Sequence, residues 1–576
     1  FPGPTPQAIL ARHAMDPVPS LRTLRPGVPV ALARVVTQAM AKVPADRFAT
    51  ARAFAEALAA ASLVGDAAPP SAWRGRRGLV ALLAGLVVGG TGLAAMLARK
   101  PAGVDPGRPP ATPQEERSIA VLPLVNLTPG KENEFLADAI TDELIDQLSR
   151  VDSLRVAARA SAFTFKGKSP DPREVGEKLH VATVLDGSVQ VSGNKVRVTV
   201  ELVSARDGRR VWFDTYDRLL TDVFTVQVQI ARAITGPLEL RFITSTGTPV
   251  ASAASKDEEA HKLYLKGRHY SYSFDGGERR LAVEYFRKAL ERDSNYALAW
   301  AGLADGYGLL TSALDSREIP AVRKLARAAA LRAVALDSTL SEAYSALGDH
   351  DSVEWNWGPK ERNLRRAIAL NSNNALAHRW YADVLTVVGR YPEAVAEAER
   401  AERLDPLNPF MMLGTIWACT AARQYECGAA AARRWHDVEP TSEHYYTTLG
   451  RMQFLEGKQS EGLANLERGA EQEKGIPYSI NAVRLAWAYA ASGQHEKARR
   501  VLRGVQREPG RAWPPSYMFA AVYAALGDRD SAFEWLERAY TARENEIETI
   551  GAIPELDPLR GDPRFTSLLR RMRIPT

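Results

Sequence analysis

The amino-acid sequence predicts a multidomain chain: a short stretch of helices, one transmembrane helix, a small α/β domain, then an all-α repeat solenoid. Three observations carry that prediction. Residues 79–98, LVALLAGLVVGGTGLAAMLA, contain no charge, and an α-helix needs about 20 apolar residues to cross a bilayer. Residues 118–235 alternate strand-like and helix-like patterns. Residues 257–540 are self-similar at a period of roughly 34 residues, the spacing of stacked helical hairpins.

Composition narrows the function classes. The 576 residues are 45% hydrophobic and 25% charged, as in ordinary globular protein. The net charge of +6 comes without a Lys/Arg run interleaved with aromatics, so nucleic acid is not an expected partner. Nine scattered histidines form no pair at metal-ligand spacing, and neither a metal nor another cofactor is expected. Two cysteines, Cys419 and Cys427, exclude a disulfide framework. They read first as two buried small side chains, with one disulfide as the alternative.

Residues 1–60 precede a Pro-containing linker at 61–78. The chain opens at Phe1 without an initiator Met and reads as starting inside a domain. Pro29 opens a helix in which Leu32, Val35, Val36, Ala39 and Met40 recur at helical spacing. The strings GPTPQAILARH at 3–13, LRPGVP at 24–29 and AKVPADRFATARAFAEAL at 41–58 resemble the last helices of a bacterial Ser/Thr protein kinase domain. The resemblance implies a kinase C-lobe remnant in which Arg47 lacks its buried Glu partner. The Gly-rich loop, phosphate-binding Lys, His-Arg-Asp loop and Asp-Phe-Gly metal site of that family are not in this sequence. No catalytic or cofactor-binding residue is therefore assigned. ATP and Mg²⁺ are implied only for a kinase domain upstream.

The apolar segment 79–98 is bracketed by Arg74, Arg76 and Arg77 and by Arg99 and Lys100. It predicts a single membrane span, with the lipid bilayer as a partner, and the kinase resemblance implies that the membrane is the bacterial cytoplasmic one. Ala81, Gly85 and Gly89 form a small-residue stripe suited to helix pairing and a homodimer. The kinase resemblance places residues 1–60 in the cytoplasm and the rest outside. A second linker spans 99–117.

Residues 118–124 read as a strand, 134–149 as a helix, 154–159 as a strand and 171–179 as a short helix. Residues 181–193, 194–205 and 209–218 read as antiparallel strands joined by turns at Ser192-Gly193-Asn194 and Asp207-Gly208, and 222–236 as a helix. The residues IAVLPLVNLTPGKENEFLADAITDELIDQLSRVDSLRVAARASAFTFKGK, VLDGSVQVSGNKVRVTVELVSARDGRRVWFDTYDR and DVFTVQVQIA resemble the TolB amino-terminal-like domain, placed at 118–240. In such proteins the domain follows a kinase, winged-helix or cyclase domain and precedes helical repeats.

About eight tetratricopeptide repeats are expected over 257–540. The unit at 375–408 carries Ala382, Gly389, Ala394, Ala401 and Pro406 at the small-residue and Pro positions. Residues 541–576 read as a C-terminal cap. Partner binding in such arrays uses the concave face, where the register places Asp305, Asp349, Arg379, Asp383, Arg451, Trp487 and Tyr517. The expected function is the partner-binding region of a receptor-like Ser/Thr kinase, taking a protein or peptide. A membrane-tethered repeat scaffold without kinase output is the alternative, and a transcriptional or cyclase regulator the third.

Overall fold

In a computed structural model the chain divides into two units, Phe1–Arg108 and Pro109–Thr576. The structure describes residues 30–39, 48, 54, 55, 57 and 58, and residues 117–575 except 129–133, 152, 220–222, 239–254, 256, 272–275, 312–313, 315–317, 351–354, 443, 473–478 and 506–513. In the first unit, α1 (Val30–Ala39) forms where the apolar spacing places it. Phe48 and Phe54 meet with ring centroids 5.5 Å apart. Arg47 and the stripe Ala81, Gly85 and Gly89 lie outside the described residues.

The expected transmembrane helix and single-pass membrane localisation are corrected here. Among the described residues no helix is long and apolar enough to cross a membrane. The most apolar helices in the second unit run 13 and 14 residues, short of the ~20 a span requires. The 18-residue helix Ile319–Leu336 carries four basic residues. Segment 79–98, which prompted the expectation, lies outside the described residues. The fold is mostly helical, with a small sheet domain followed by helical repeats.

The sheet domain is built from β1 (Ser118–Val121), β2 (Val125–Asn126), α2 (Glu134–Ser149), β3 (Arg155–Val156), α3 (Arg159–Phe163), α4 (Pro172–Leu179), β4 (Thr183–Ser192), β5 (Lys195–Ser204), β6 (Arg210–Leu219) and α5 (Val223–Thr235). Strand order is β3-β1-β4-β5-β6, with β2 also paired to β4. β1 runs parallel to β3 and β4, whereas β4, β5 and β6 are antiparallel. The alternation in β5 explains the layering. Val196, Val198, Val200 and Leu202 are fully buried against Ile140, Leu144 and Leu148 of α2 and Ile230 and Ile234 of α5. The β4–β5 turn has Gly193 at φ +61°, the left-handed region a tight hairpin uses. The expected strand at 154–159 is only two residues long. After Val156 the chain turns into α3, whose Ser161 engages the repeats, as described below.

The repeats are eight helical hairpins among the described residues: α6 (Glu258–Ser271) with α7 (Gly276–Arg292), α8 (Ala297–Leu310) with α9 (Ile319–Leu336), α10 (Ser341–His350) with α11 (Trp357–Leu370), α12 (Ala375–Val387) with α13 (Tyr391–Leu404), α14 (Pro409–Ala421) with α15 (Tyr425–Val438), α16 (Tyr445–Leu455) with α17 (Gln459–Gln472), α18 (Ile480–Ala491) with α19 (His495–Gly504), and α20 (Ser516–Ala525) with α21 (Arg529–Ala542). Ala382, Ala394, Ala398 and Ala401 are buried, which lets α12 and α13 approach closely. The turns inside four hairpins place Gly389, Gly457, Gly493 and Gly527 at φ +77° to +95°. The α14–α15 turn puts Arg423 there instead, at φ +60°. Cys419 and Cys427 are joined as a disulfide, so the alternative reading of the cysteines holds.

After α21 the chain reverses. Two 3-10 stretches, Asn545–Ala552 and Pro554–Leu559, lead to α22 (Pro563–Arg571). The sequence expects one capping helix here, but Pro554, Pro558 and Pro563 break the run. Apart from α14 and α16, the first helices of successive hairpins pack on one another and form the inner face, and the 3-10 stretches pack on α12 and α20 of that face.

Candidate functional site

The inner face is divided between two occupants, both parts of this chain. At its C-terminal half lies the segment 544–574. Ile547, Ile550, Leu556, Leu559 and Met572 are fully buried in one core with α18, α20 and α21. Glu544, at the reversal, accepts from the Ser516 backbone N–H at 2.7 Å and from its hydroxyl at 2.6 Å. Two ion-pair clusters hold the rest. Arg451 of α16 grips Glu555 with Nε at 2.5 Å and Nη2 at 3.0 Å, both side chains about nine-tenths buried. Burial pushes the Glu555 carboxyl up, but the Arg451 charge and hydrogen bonds outweigh it and hold it below the usual carboxylate range. Glu548 lies 3.3 Å from Lys360 Nζ and 3.9 Å from Arg323. Lys360 is also 3.8 Å from Asp349. Trp357 Nε1–H donates to the Met572 carbonyl at 3.1 Å.

Arg379, on α12, is fully buried and lies 2.5 Å from Asp383 one turn on. The rings of Trp380, Phe410 and Trp417 surround its guanidinium at 5.0–5.5 Å, an arrangement that stabilises a desolvated cation. Gly414 makes room for it, because a Cβ there would lie 2.3 Å from Arg379 Cδ and Nε. Gly414→Ala should cost about 1–3 kcal/mol of overpacking, despite the better helix propensity of alanine. Urea denaturation followed by tryptophan fluorescence checks this.

At the N-terminal half the sheet domain sits against the array. Asn373, between α11 and α12, accepts from Val156 N–H at 3.0 Å and donates to the Leu154 and Ser149 carbonyls at 2.8 and 2.9 Å. Asp405, between α13 and α14, accepts from the Ser161 N–H and hydroxyl at 3.0 and 2.6 Å. Ala158 N–H donates to the Leu404 carbonyl at 2.8 Å. A cavity of about 140 Å³ lies at this junction, lined by α2, the β3–α3 corner, α6, α8, α10 and the loops before α12 and α14.

The sequence-selected residues separate on this map. Asp305 lines the cavity. Asp349, Arg379 and Asp383 belong to a charged row along the inner face that continues to Lys360. Arg451 is committed to Glu555. Trp487 is buried with its ring 5.1 Å from that of Phe454. Tyr517 is half-buried against the same core. Lys360, Glu548, Glu555, Ser345 and Asn373 were missed. The run Asn371–Asn374 in a loop between hairpins was the one available signal, since clustered amides seek backbone partners.

His444, just before α16, is pushed down to about 4 by burial and then by the Arg484 charge. A histidine with a depressed folded-state pKa contributes stability above its unfolded value of about 6.5, and that contribution is lost as pH falls through the folded value. Relative to His444→Gln, the wild type should lose about 1–3 kcal/mol between pH 6.5 and 4, read from urea midpoints in that window. The carboxyls of Asp146 and Asp305, raised first by burial, act in the opposite sense. The variant comparison therefore isolates the histidine.

Comparison with known proteins adds the following. Residues 115–223 match the family model of the HilA/YgeH-like transcriptional regulator, second domain, which falls on the sheet domain and on none of the repeats. A putative adenylate cyclase 3 of Rhizobium meliloti (strain 1021) is 35% identical over 207 residues, 36% of this chain and 35% of that protein. The chain thus spans about a third of the length of this curated relative. Among solved structures, YrrB, a TPR protein with an unusual peptide-binding site, is 16% identical with a TM-score of 0.25, covering 34% of this chain and 95% of that one. Yeast Tom70 is 14% identical with a TM-score of 0.33, covering 56% and 69%. The eight hairpins among the described residues resemble tetratricopeptide repeats, and stacked helical repeats present an extended concave surface.

Proposed function

We propose that the second unit is a partner-binding regulatory region: the repeats take a protein or peptide segment on the inner face, and the sheet domain passes occupancy to an output domain. One observation carries the reading. The inner face already holds polypeptide, the segment 544–574, by apolar burial combined with the Arg451–Glu555 and Lys360–Glu548 pairs. Side chains that hold this segment have the chemistry to hold another acidic-apolar segment. No catalytic step and no cofactor is assigned to residues 117–575.

Two outputs compete. The kinase-like strings at 1–60, a sequence resemblance, favour phosphotransfer to protein Ser/Thr, whereas the TolB-like resemblance of 118–240 is compatible with kinase, winged-helix and cyclase outputs alike. The similarity to a putative adenylate cyclase and to a domain of a transcriptional regulator favours a cyclase or transcriptional output. A scaffold without output is the simplest form of the proposal.

The test places a photoreactive phenylalanine analogue at Trp417, which is 39% exposed on inner helix α14, and separately at Leu325, 51% exposed on outer helix α9. On irradiation in the producing cell, the first full-length chain should crosslink to one predominant protein and the second should not. Equal, indiscriminate crosslinking from both positions contradicts the proposal.

A further inference from the structure

The sheet ends on an open strand. Strand order places β6 at one end, and among the described residues no strand pairs with its far side. β6 runs ten residues, as long as β4 and β5 inside the sheet, and packs on β5 and α5. Its sequence, RVWFDTYDRL, has neither Lys nor Pro. Its pairing with β5 is regular except for a shift opposite Leu202 and Val203, at the start of the strand. A long edge strand without Lys or Pro offers its row of unpaired N–H and C=O groups to another chain. Val211, Phe213 and Leu219 also stay 40%, 50% and 43% exposed, so the strand is apolar as well as open.

The order of residues in β6 says what fits this edge. Successive residues of a strand point their backbone groups to opposite edges, and residues directly opposite in an antiparallel pair are either both hydrogen-bonded to each other or both not. Two copies of one strand can therefore pair antiparallel only in registers centred on a residue, which then faces itself. Two such registers overlap nearly all of β6. The register centred on Asp214 sets Asp214 against Asp214 and Arg210 against Arg218, and like charges directly opposite are destabilising. The register centred on Thr215 opposes no like charges. It sets Thr215 against itself, Asp214 against Tyr216, and Trp212 against Arg218, a cation over an aromatic face. Leu219 of one copy falls diagonal to Phe213 and beside Val211 of the other, at both ends by symmetry, so the exposed apolar side chains meet. Asp217, which comes opposite Phe213, is already paired with Arg197 of its own sheet at 2.7 Å.

We propose that β6 is a self-association edge: two copies of the chain join β6 to β6, antiparallel about Thr215, and continue one sheet through both sheet domains. The interface is isologous, the same strand coming from each copy. It uses a surface apart from the inner face of the repeats, and stands whether or not that face binds a partner.

Disulfide trapping in the full chain tests this. Cys419 and Cys427 are bonded to each other, so a single introduced cysteine finds no other thiol in its own chain. Directly opposed residues of an antiparallel pair lie about 4.5–5.5 Å apart between Cα atoms, within disulfide reach. Thr215→Cys, oxidised at micromolar concentration, should give a disulfide-linked dimer as the main product on a non-reducing gel. Asp214→Cys, diagonal to its own copy, and Leu325→Cys, exposed on α9, should each give about tenfold less. Phe213→Lys added to Thr215→Cys should cut the dimer about tenfold, because a lysine on the edge opposes pairing. Leu219→Lys serves if that variant does not fold by circular dichroism. A dimer yield from Thr215→Cys no greater than from Leu325→Cys overturns the inference. So does a larger yield from Asp214→Cys, or a yield that neither lysine changes.

Discussion

Replacing Arg451 with alanine should destabilise the C-terminal half of the array by about 3–5 kcal/mol, the usual cost of breaking a buried ion pair on one side. The cost arises from what is left behind. Glu555 is 9% exposed and sits at the start of the second 3-10 stretch, so without Arg451 it must stay buried and unpaired, take up a proton, or pull the segment out. Arg451→Met combined with Glu555→Leu should recover most of the loss, since apolar replacement of a whole buried pair is often neutral or better. Urea denaturation of the wild type, Arg451→Met, Glu555→Leu and the double variant gives the coupling. Limited proteolysis should cut 544–574 of Arg451→Ala first. An effect below about 1 kcal/mol would mean that the pair behaves as an exposed one, and that apolar burial alone holds the segment.

Asn373→Ala should have the second largest effect, about 2–4 kcal/mol, because it removes three hydrogen bonds to backbone groups of the sheet domain and leaves them without that partner. These bonds join residues more than two hundred positions apart in sequence. Their loss should act on the coupling between the modules more than on either module. Calorimetry should accordingly show the sheet domain unfolding ahead of the repeats in the variant and together with them in the wild type. Asn373→Asp keeps the acceptor for Val156 N–H but loses the donors to Leu154 and Ser149, and should fall between the two.

Much of the fold was legible because its determinants are local. Alternation in Val196–Leu202 gives a strand with one buried face, and the alanines of 382–401 give a close-packed hairpin. The candidate site was legible only in part. Arg451 and Trp487 were placed on an inner helix from the repeat register, which fixes a helix position but not what covers it. Arg451 meets a carboxylate 104 residues away, and Trp487 meets Phe454 and the core beneath the returning segment. No periodicity encodes a chain reversal that lays 544–574 back on the inner face. The charge of Glu548 and Glu555 among apolar neighbours reads locally as an ordinary solvated surface. The expected membrane span shows a different weakness, since it rested on composition over a segment outside the described residues and no described helix supports it.

The inner face of the array is proposed as a polypeptide-binding surface, held by the chain's own C-terminal segment. Hydrogen exchange of the full chain, read by mass spectrometry, tests it most directly. Amides of 547–572 should be protected comparably to α18 and α20, and Arg451→Ala should deprotect them while α6–α10 stay unchanged. Rapid exchange throughout 547–572 in the wild type, with α18 and α20 protected, would contradict it.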